Sequence, residues 1–350
     1  MQICCQTVIG AGETMLNILG WQGYDAGLGK VFDSFTSDTG IAVTFRGVRN
    51  QDEMHASAQT EDFDIACPTT DRLASWLDSG LIAPLDEDRA GYGRIDPAFH
   101  ADAHTIIRGK RYGSPNLWGG AGIGHHTGKA PLDGAEASLM ALFDPVFAGR
   151  LTLREDTAFV AAGRALESAG KLPFPFVDSY AFEERMIANY DVICAFLSGH
   201  ADHVARFWFS EEEGIDAFRS GGCVIGYSWD TTMAALTRQG MPFAFAAPAE
   251  GANCYLQNFV LSARADPGPA QDWISWVNTP SGSALYASAF GANPAAHGAR
   301  ELLPPDDQAF FAASYPDSAL GKLWWQPGQP LWFVKNRGEY ARKFRAAAKG

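Results

Sequence analysis

Residues 15–45 read M-L-N-I-L-G-W-Q-G-Y-D-A-G-L-G-K-V-F-D-S-F-T-S-D-T-G-I-A-V-T-F. A short apolar strand over Leu16, Ile18 and Leu19 runs into an aromatic pair, Trp21 and Tyr24. Leu28, Val31, Phe32 and Phe35 then recur at the spacing that buries one face of a helix, Gly40 stops it, and Ile41 to Phe45 reads as a second strand. In an open α/β sheet, ligands sit in the crevice outside the carboxyl ends of the strands. Here that place holds a Trp and a Tyr instead of a glycine-rich phosphate loop, so the first strand offers an aromatic surface to something small.

The alternation continues outward. Strands at 16–19, 41–45 and 63–67, separated by helical segments around 28–35 and 53–58, imply a parallel sheet with helical crossovers. A short helix over 71–79 ends at Gly80. Residues 113–124, G-S-P-N-L-W-G-G-A-G-I-G, read as an extended crossing strand whose glycines allow a hinge. A second α/β series covers 142–249, with helices at 157–168 and 231–239 around a strand at 224–228. Residues 253–263 read as a return crossing, and helices at 270–277 and 281–289 precede an aromatic-rich tail.

A chain of 350 residues suits two lobes, each able to bury its own core. The formal charge of −13, with Lys and Arg scattered, excludes a phosphate-neutralising stripe and hence nucleic-acid binding. The cationic cluster of the last helix (Lys335, Arg337, Arg342, Lys343, Arg345) reads as a solvated face, and Ser210 to Gly214, with Glu211, Glu212 and Glu213, as a solvated acidic turn. No apolar run is long enough to span a membrane. Residues 1–14 show no positive n-region and no apolar core, so no signal peptide is legible there. The neighbouring Cys4 and Cys5 have no apolar segment before them to suggest a lipid anchor.

The six cysteines lack zinc spacing, and Cys67, Cys223 and Cys254 sit in apolar runs as buried, inert thiols. His125 and His126 are adjacent on a strand and point to opposite faces, so they cannot share a metal. No G-x-S-x-G, Walker A or H-E-x-x-H motif is present, and the expectation is a protein without cofactor, metal or catalysis.

Several landmarks, taken in order, resemble one family. They are W-x-x-Y at Trp21 and Tyr24 with D-T-G-I after it, D-F-D-I-A-C-P-T-T (62–70), G-L-I-A-P-L-D (80–86), Y-G-S-P-N-L-W-G (112–119), F-A-G-R-L-T-L-R-E-D (147–156), G-C-V-I-G-Y-S-W (222–229) and the terminal E-Y-A-R-K-F. The chain resembles the periplasmic spermidine/putrescine-binding proteins of ABC importers. The resemblance implies the type II two-lobed α/β fold with a ligand cleft between lobes. Residues 15–118 and 255–298 would form one lobe, and 119–254 completed by 299–350 the other. It further implies a monomeric periplasmic receptor that closes on a small cationic amine and hands it to a permease in the inner membrane.

Polyamine binders of that family hold the ligand chain between aromatic faces and anchor its amines on carboxylates. The resemblance places Trp21, Tyr24, Trp229 and Tyr255 as the aromatic walls, Thr69 as the pocket hydroxyl, Gln326 as a pocket amide and Asp156 as an anchoring acid. Asp156 also reads as an N-cap for the helix after it, and Trp118 on the crossing strand is as good a core residue as a wall. Two family acids are missing: Phe159 stands one turn after Asp156, and Gln257 two residues after Tyr255. Asp71 and Asp230 are candidate replacements, each with a helix N-cap reading beside it. The loss points away from a long polyamine, toward a singly charged amine, a quaternary ammonium, an amino acid or an opine-like conjugate. The rival class, an enzyme on a two-lobed scaffold, needs a nucleophile and base or a metal in mutual reach.

Overall fold

A computed structural model describes residues 14–99, 105–132 and 137–348; Cys4 and Cys5 lie outside the described residues. Strand Met15–Trp21 pairs in parallel with Ala42–Val48, in register from Met15↔Ala42 to Trp21↔Val48, and with Ile65–Ala66 on its other side. Helix Asp25–Thr39 crosses between the first two strands and buries Leu28, Val31 and Phe35 against them. Gly40 takes the left-handed conformation (φ 75°) and donates its N–H to the Thr36 carbonyl at 2.8 Å, which closes the helix as the sequence implied.

The long strands Ser114–His126 and Asn253–Ser262 pair antiparallel through the middle of the molecule, from Asn253↔Ala121 to Phe259↔Ser114. Along the sheet, Asn253–Ser262 bonds the first parallel set through Ile65–Ala66. Ser114–His126 continues into a second set, Ile225–Trp229, Leu151–Leu153 and Val204–Phe207. Both crossings therefore belong to two separate packing regions.

One core draws on residues between 16 and 117 and between 259 and 292, built around Phe35, Trp76, Trp273 and Phe259. The other draws on 121–246 and on Phe333, Tyr340 and Phe344 of the last helix, Leu331–Ala347. A third cluster, with Met233, Phe245, Phe311 and Tyr315, packs residues 217–254 against 284–319. Two sheets of opposite ends joined by two paired strands, each with its own core, make the two-lobed α/β fold.

Among the helices absent from the sequence reading, two bear on the site or on the core beside it. Glu183–Ser198 buries Met186, Tyr190, Ile193 and Leu197, a stripe at helical spacing. The second corrects the acidic turn: Ser210 to Gly214 is no loop but the start of helix Glu211–Arg219, with the Ser210 side chain accepting the Glu213 N–H at 3.3 Å. Among the described residues no helix is long and apolar enough to cross a membrane.

Candidate functional site

A cavity of about 540 Å³ opens where the carboxyl end of Met15–Trp21 faces the second core. The first core contributes Trp21, Tyr24, Gln51, Asp52, Thr69, Asp71 and Arg72. The second contributes Arg154, Asp156, Thr157, Val160, Tyr180, Glu211, Trp229 and Thr231. The crossing strand supplies Asn253, Tyr255 and Gln257, and the tail Gln326, Gln329, Phe333 and Arg337. Of the residues expected in the site, nine share this wall.

The aromatics are held by packing rather than by caps. Tyr24 precedes its helix without a side-chain cap bond, and its ring lies 4.4 Å from that of Phe290. Trp229 ends its strand with its ring edge-on to Trp208 at 4.8 Å, and the Arg154 guanidinium carbon sits 5.6 Å from its centroid. Trp118 does not line the cavity; it packs among Phe99, Tyr315 and Trp325.

The polar members are already engaged. Thr69 accepts from the Gln51 amide at 2.7 Å and donates to Asp71 at 2.5 Å, and Asp71 in turn lies 3.6 Å from the Arg72 guanidinium. Gln257 sits at a bulge in its strand, where it donates to Asn116 at 3.0 Å and to the Tyr286 phenol at 3.1 Å. Gln326 follows the short strand Trp324–Trp325 and donates its backbone N–H to the Cys254 carbonyl at 3.0 Å.

Asp156 is the member whose surroundings differ most from expectation. Its Oδ1 lies 3.0 Å from Arg154 Nε and accepts the Thr157 N–H at 2.9 Å, while Oδ2 lies 3.8 Å from Arg337 Nη2. Burial works to raise its pKa, but Arg154 and Arg337 outweigh that and hold the carboxyl below its ordinary range. It is not the N-cap: helix Ala158–Ser168 starts one residue later, capped by Thr157 without a side-chain bond.

Three placements depart from the sequence reading. Asp230 is fully buried behind the wall, where Oδ2 accepts from Gly120 N at 3.1 Å and from the Tyr315 hydroxyl at 2.7 Å; burial pushes its pKa up to about 7. Trp229 ends strand Ile225–Trp229 on the cavity, and Asp230 opens helix Asp230–Arg238 turned the other way, toward Gly120 and Tyr315. Phe159 is not on the wall but in the core, stacked on Tyr190 at 5.1 Å, and Val160 beside it faces the cavity. Arg337 belongs to the cavity and not to a solvated face.

Against the expectation of a solvated turn, Glu211 also lines the cavity, with Glu212 and Glu213. Its carboxylate accepts from Thr232 at 2.9 Å, its Oε2 is buried without a partner, and burial pushes its pKa up to about 7. The adjacent histidines go separate ways: His125 Nδ1 lies 2.8 Å from the Ala130 carbonyl, and His126 Nδ1 accepts from Gly128 N at 3.1 Å. Among the described residues no group of His, Cys, Asp and Glu side chains is arranged to hold a metal.

A family model described as bacterial extracellular solute-binding protein matches residues 30–313. The spermidine/putrescine-binding periplasmic protein 1 of Haemophilus influenzae is 22% identical over 244 residues, which cover 67% of this chain but only 62% of that protein, less than two thirds of its length. Among solved structures, the spermidine/putrescine substrate-binding protein PotD of Streptococcus pneumoniae superposes with a TM-score of 0.76 at 18% identity, covering 96% of this chain and 100% of that one. The binding protein MotA of A. tumefaciens B6, solved with glucopine, gives 0.73 at 16%, covering 96% and 100%. With the two-lobed fold, the cavity between its cores and a family match running through most of the sequence, this chain belongs to the bacterial extracellular solute-binding proteins.

Proposed function

We propose that the protein is the solute-capturing receptor of an ABC importer, working in the periplasm as a monomer, and that it delivers a small amine-bearing polar solute to an inner-membrane permease without altering it. The observation that carries this is the cavity itself: about 540 Å³, walled from both cores, with Trp21, Tyr24, Trp229 and Tyr255 as aromatic faces. The site residues take the roles that the sequence suggests, except that Asp230 supports the wall from behind and Asp156 is already engaged by Arg154 and Arg337. A curated relative is named for spermidine and putrescine, and a structural neighbour was solved with glucopine, so this scaffold serves more than one class of solute.

Closure completes the reading. Residues 15–118 with 255–298, and 119–254 with 299–350, move as lobes about the paired crossing strands. The thiols do not offer an enzymatic alternative: burial pushes Cys67 up to about 12 and Cys223 up to about 11, far from the thiolate a nucleophile requires. Native mass spectrometry of the purified protein, followed by partial unfolding to release its guest, tests the proposal. The expected result is a small nitrogenous solute that rebinds unchanged and raises the melting temperature. Conversion of that solute on incubation overturns the receptor reading.

A further inference from the structure

We infer that the cavity is bipolar and takes its solute by a carboxylate, seated between Arg154 and Arg337, while the solute's amine faces Glu211; this rests on the receptor reading above. The cationic end is built by two guanidinium groups around one acid. Arg154 and Arg337 both turn to Asp156, and the three side chains are only 21%, 17% and 19% exposed. Two positive charges against one negative leave a surplus of one in a place largely withdrawn from water, where an uncompensated charge is costly.

Among the described residues no second acid lies within ion-pairing distance of Arg154 or Arg337, and Asp52 acts on Arg337 only from further off. Glu155 pairs with Arg345 at 3.3 Å, Asp52 with Arg72 at 3.2 Å, and Asp71 with Arg72 at 3.6 Å. Arg337 spends one nitrogen on Gln329, at 2.9 Å, yet its Nε is buried without a partner, as is the hydroxyl of Thr157, which lines the same cavity. Both are donors, and a planar carboxylate is the group that an arginine fork and a hydroxyl recognise together. Helix Ala158–Ser168 begins at this spot without a side-chain cap, and its dipole also favours an anion.

Glu211 is set differently: among the described residues no cation pairs with it, its neighbours are Thr231, Thr232 and the buried Asp230, and its Oε2 is unpartnered. Asp156 is therefore not the free acceptor that a bare polyamine needs, and the acid that is free lies on a different helix. A solute with a carboxylate toward one end and a cationic group at the other satisfies both at once.

Three pairs of compounds isolate the point, since each differs by a single α-carboxylate: ornithine and putrescine, lysine and cadaverine, arginine and agmatine. Titration calorimetry is expected to find at least one carboxylated member binding about 30-fold or more tighter than its partner, with that preference collapsing to a few-fold in Arg337→Gln. Asp156→Asn removes the competing anion, so the same carboxylated member should bind more tightly, whereas an amine-anchoring role for Asp156 requires weaker binding. If Arg337→Gln does not fold, this change of opposite sign decides alone. A decarboxylated amine binding as tightly as its partner, silence across all three pairs, or weakened binding in Asp156→Asn overturns the inference. The first and last of these leave the receptor standing, which fails separately through turnover of the released guest.

Discussion

Trp21 closes the first strand with its ring on the cavity, part-exposed and only flanking the core, so its removal tests binding more than folding. A desolvated cation–π contact is worth roughly 2 kcal/mol, and Trp21→Ala should weaken binding of the released solute about 30-fold. Calorimetry beside a thermal melt checks this; a variant that unfolds instead places Trp21 in the core. Trp229 is a different case, because its ring also carries Trp208 and Arg154. Two buried acids set the pH response of the fold. Burial raises Glu211 and Asp230 to about 7, so the folded state keeps protons that the unfolded chain has released above pH ~4. The folded state then binds more protons than the unfolded one, and stability falls as pH rises from about 4 to 7. Asp156 shifts the other way, and its contribution is lost only as pH falls below its ordinary range. Denaturant titrations between pH 5 and 8 should show a higher midpoint at pH 5, and Asp230→Asn should flatten that slope. An unchanged slope in the variant would mean that Asp230 is ionised in the folded protein across this window.

At the scale of elements, what was legible depended on whether one residue type carried the signal. The opening helix announced itself through Leu28, Val31 and Phe35 and its Gly40 stop, and the crossings through their extended, glycine-bearing runs. Helix Glu183–Ser198 carried an equally readable stripe in Met186, Tyr190, Ile193 and Leu197, and only the charged residues between them hid it. The aromatic wall and Asp156 came from resemblance. The arginines that change the meaning of Asp156 did not, although periodicity held the clue for one of them. Arg337 lies four residues after Phe333 and four before Ala341, on the stripe that Leu331–Ala347 buries, while Lys335, Arg342 and Lys343 lie off it and are exposed. Glu211 was hidden differently: three consecutive glutamates look solvated, yet all three reach the cavity wall at the start of helix Glu211–Arg219, and Glu211 Oε2 is buried there. Charge pairing between distant segments leaves no period in a sequence, so the electrostatics of the site had to wait for the fold.

Across the whole molecule, the tail is the part that ties one side of the cleft to the other. Gln329 precedes the helix that packs into the second core, yet its backbone N–H donates to the Asp71 carbonyl of the first at 3.3 Å, and its side chain accepts from Arg337 Nη1 at 2.9 Å. On the opposite wall, the Thr231 hydroxyl faces the Tyr24 phenol closely enough to work against the rise in its pKa that burial causes. In the proposed closure, the Gln329–Asp71 and Thr231–Tyr24 contacts form only while the lobes are together, so they belong to the difference between open and closed states, and a ligand shifts that equilibrium by its preference for one of them. Gln329→Ala keeps the backbone link and deletes the side-chain bond, a loss of about 1 kcal/mol and hence roughly fivefold in affinity. Because the deleted bond lies within the tail, at the cavity, where it orients Arg337, and not within a core, the melting temperature without ligand should barely move. Small-angle scattering supplies the second reading: the radius of gyration should fall when wild-type protein is saturated with its solute, and Gln329→Ala should need more solute to reach the same compact value. A radius that does not change on saturation would remove lobe closure from the account and leave Gln329 as a local tether of the tail.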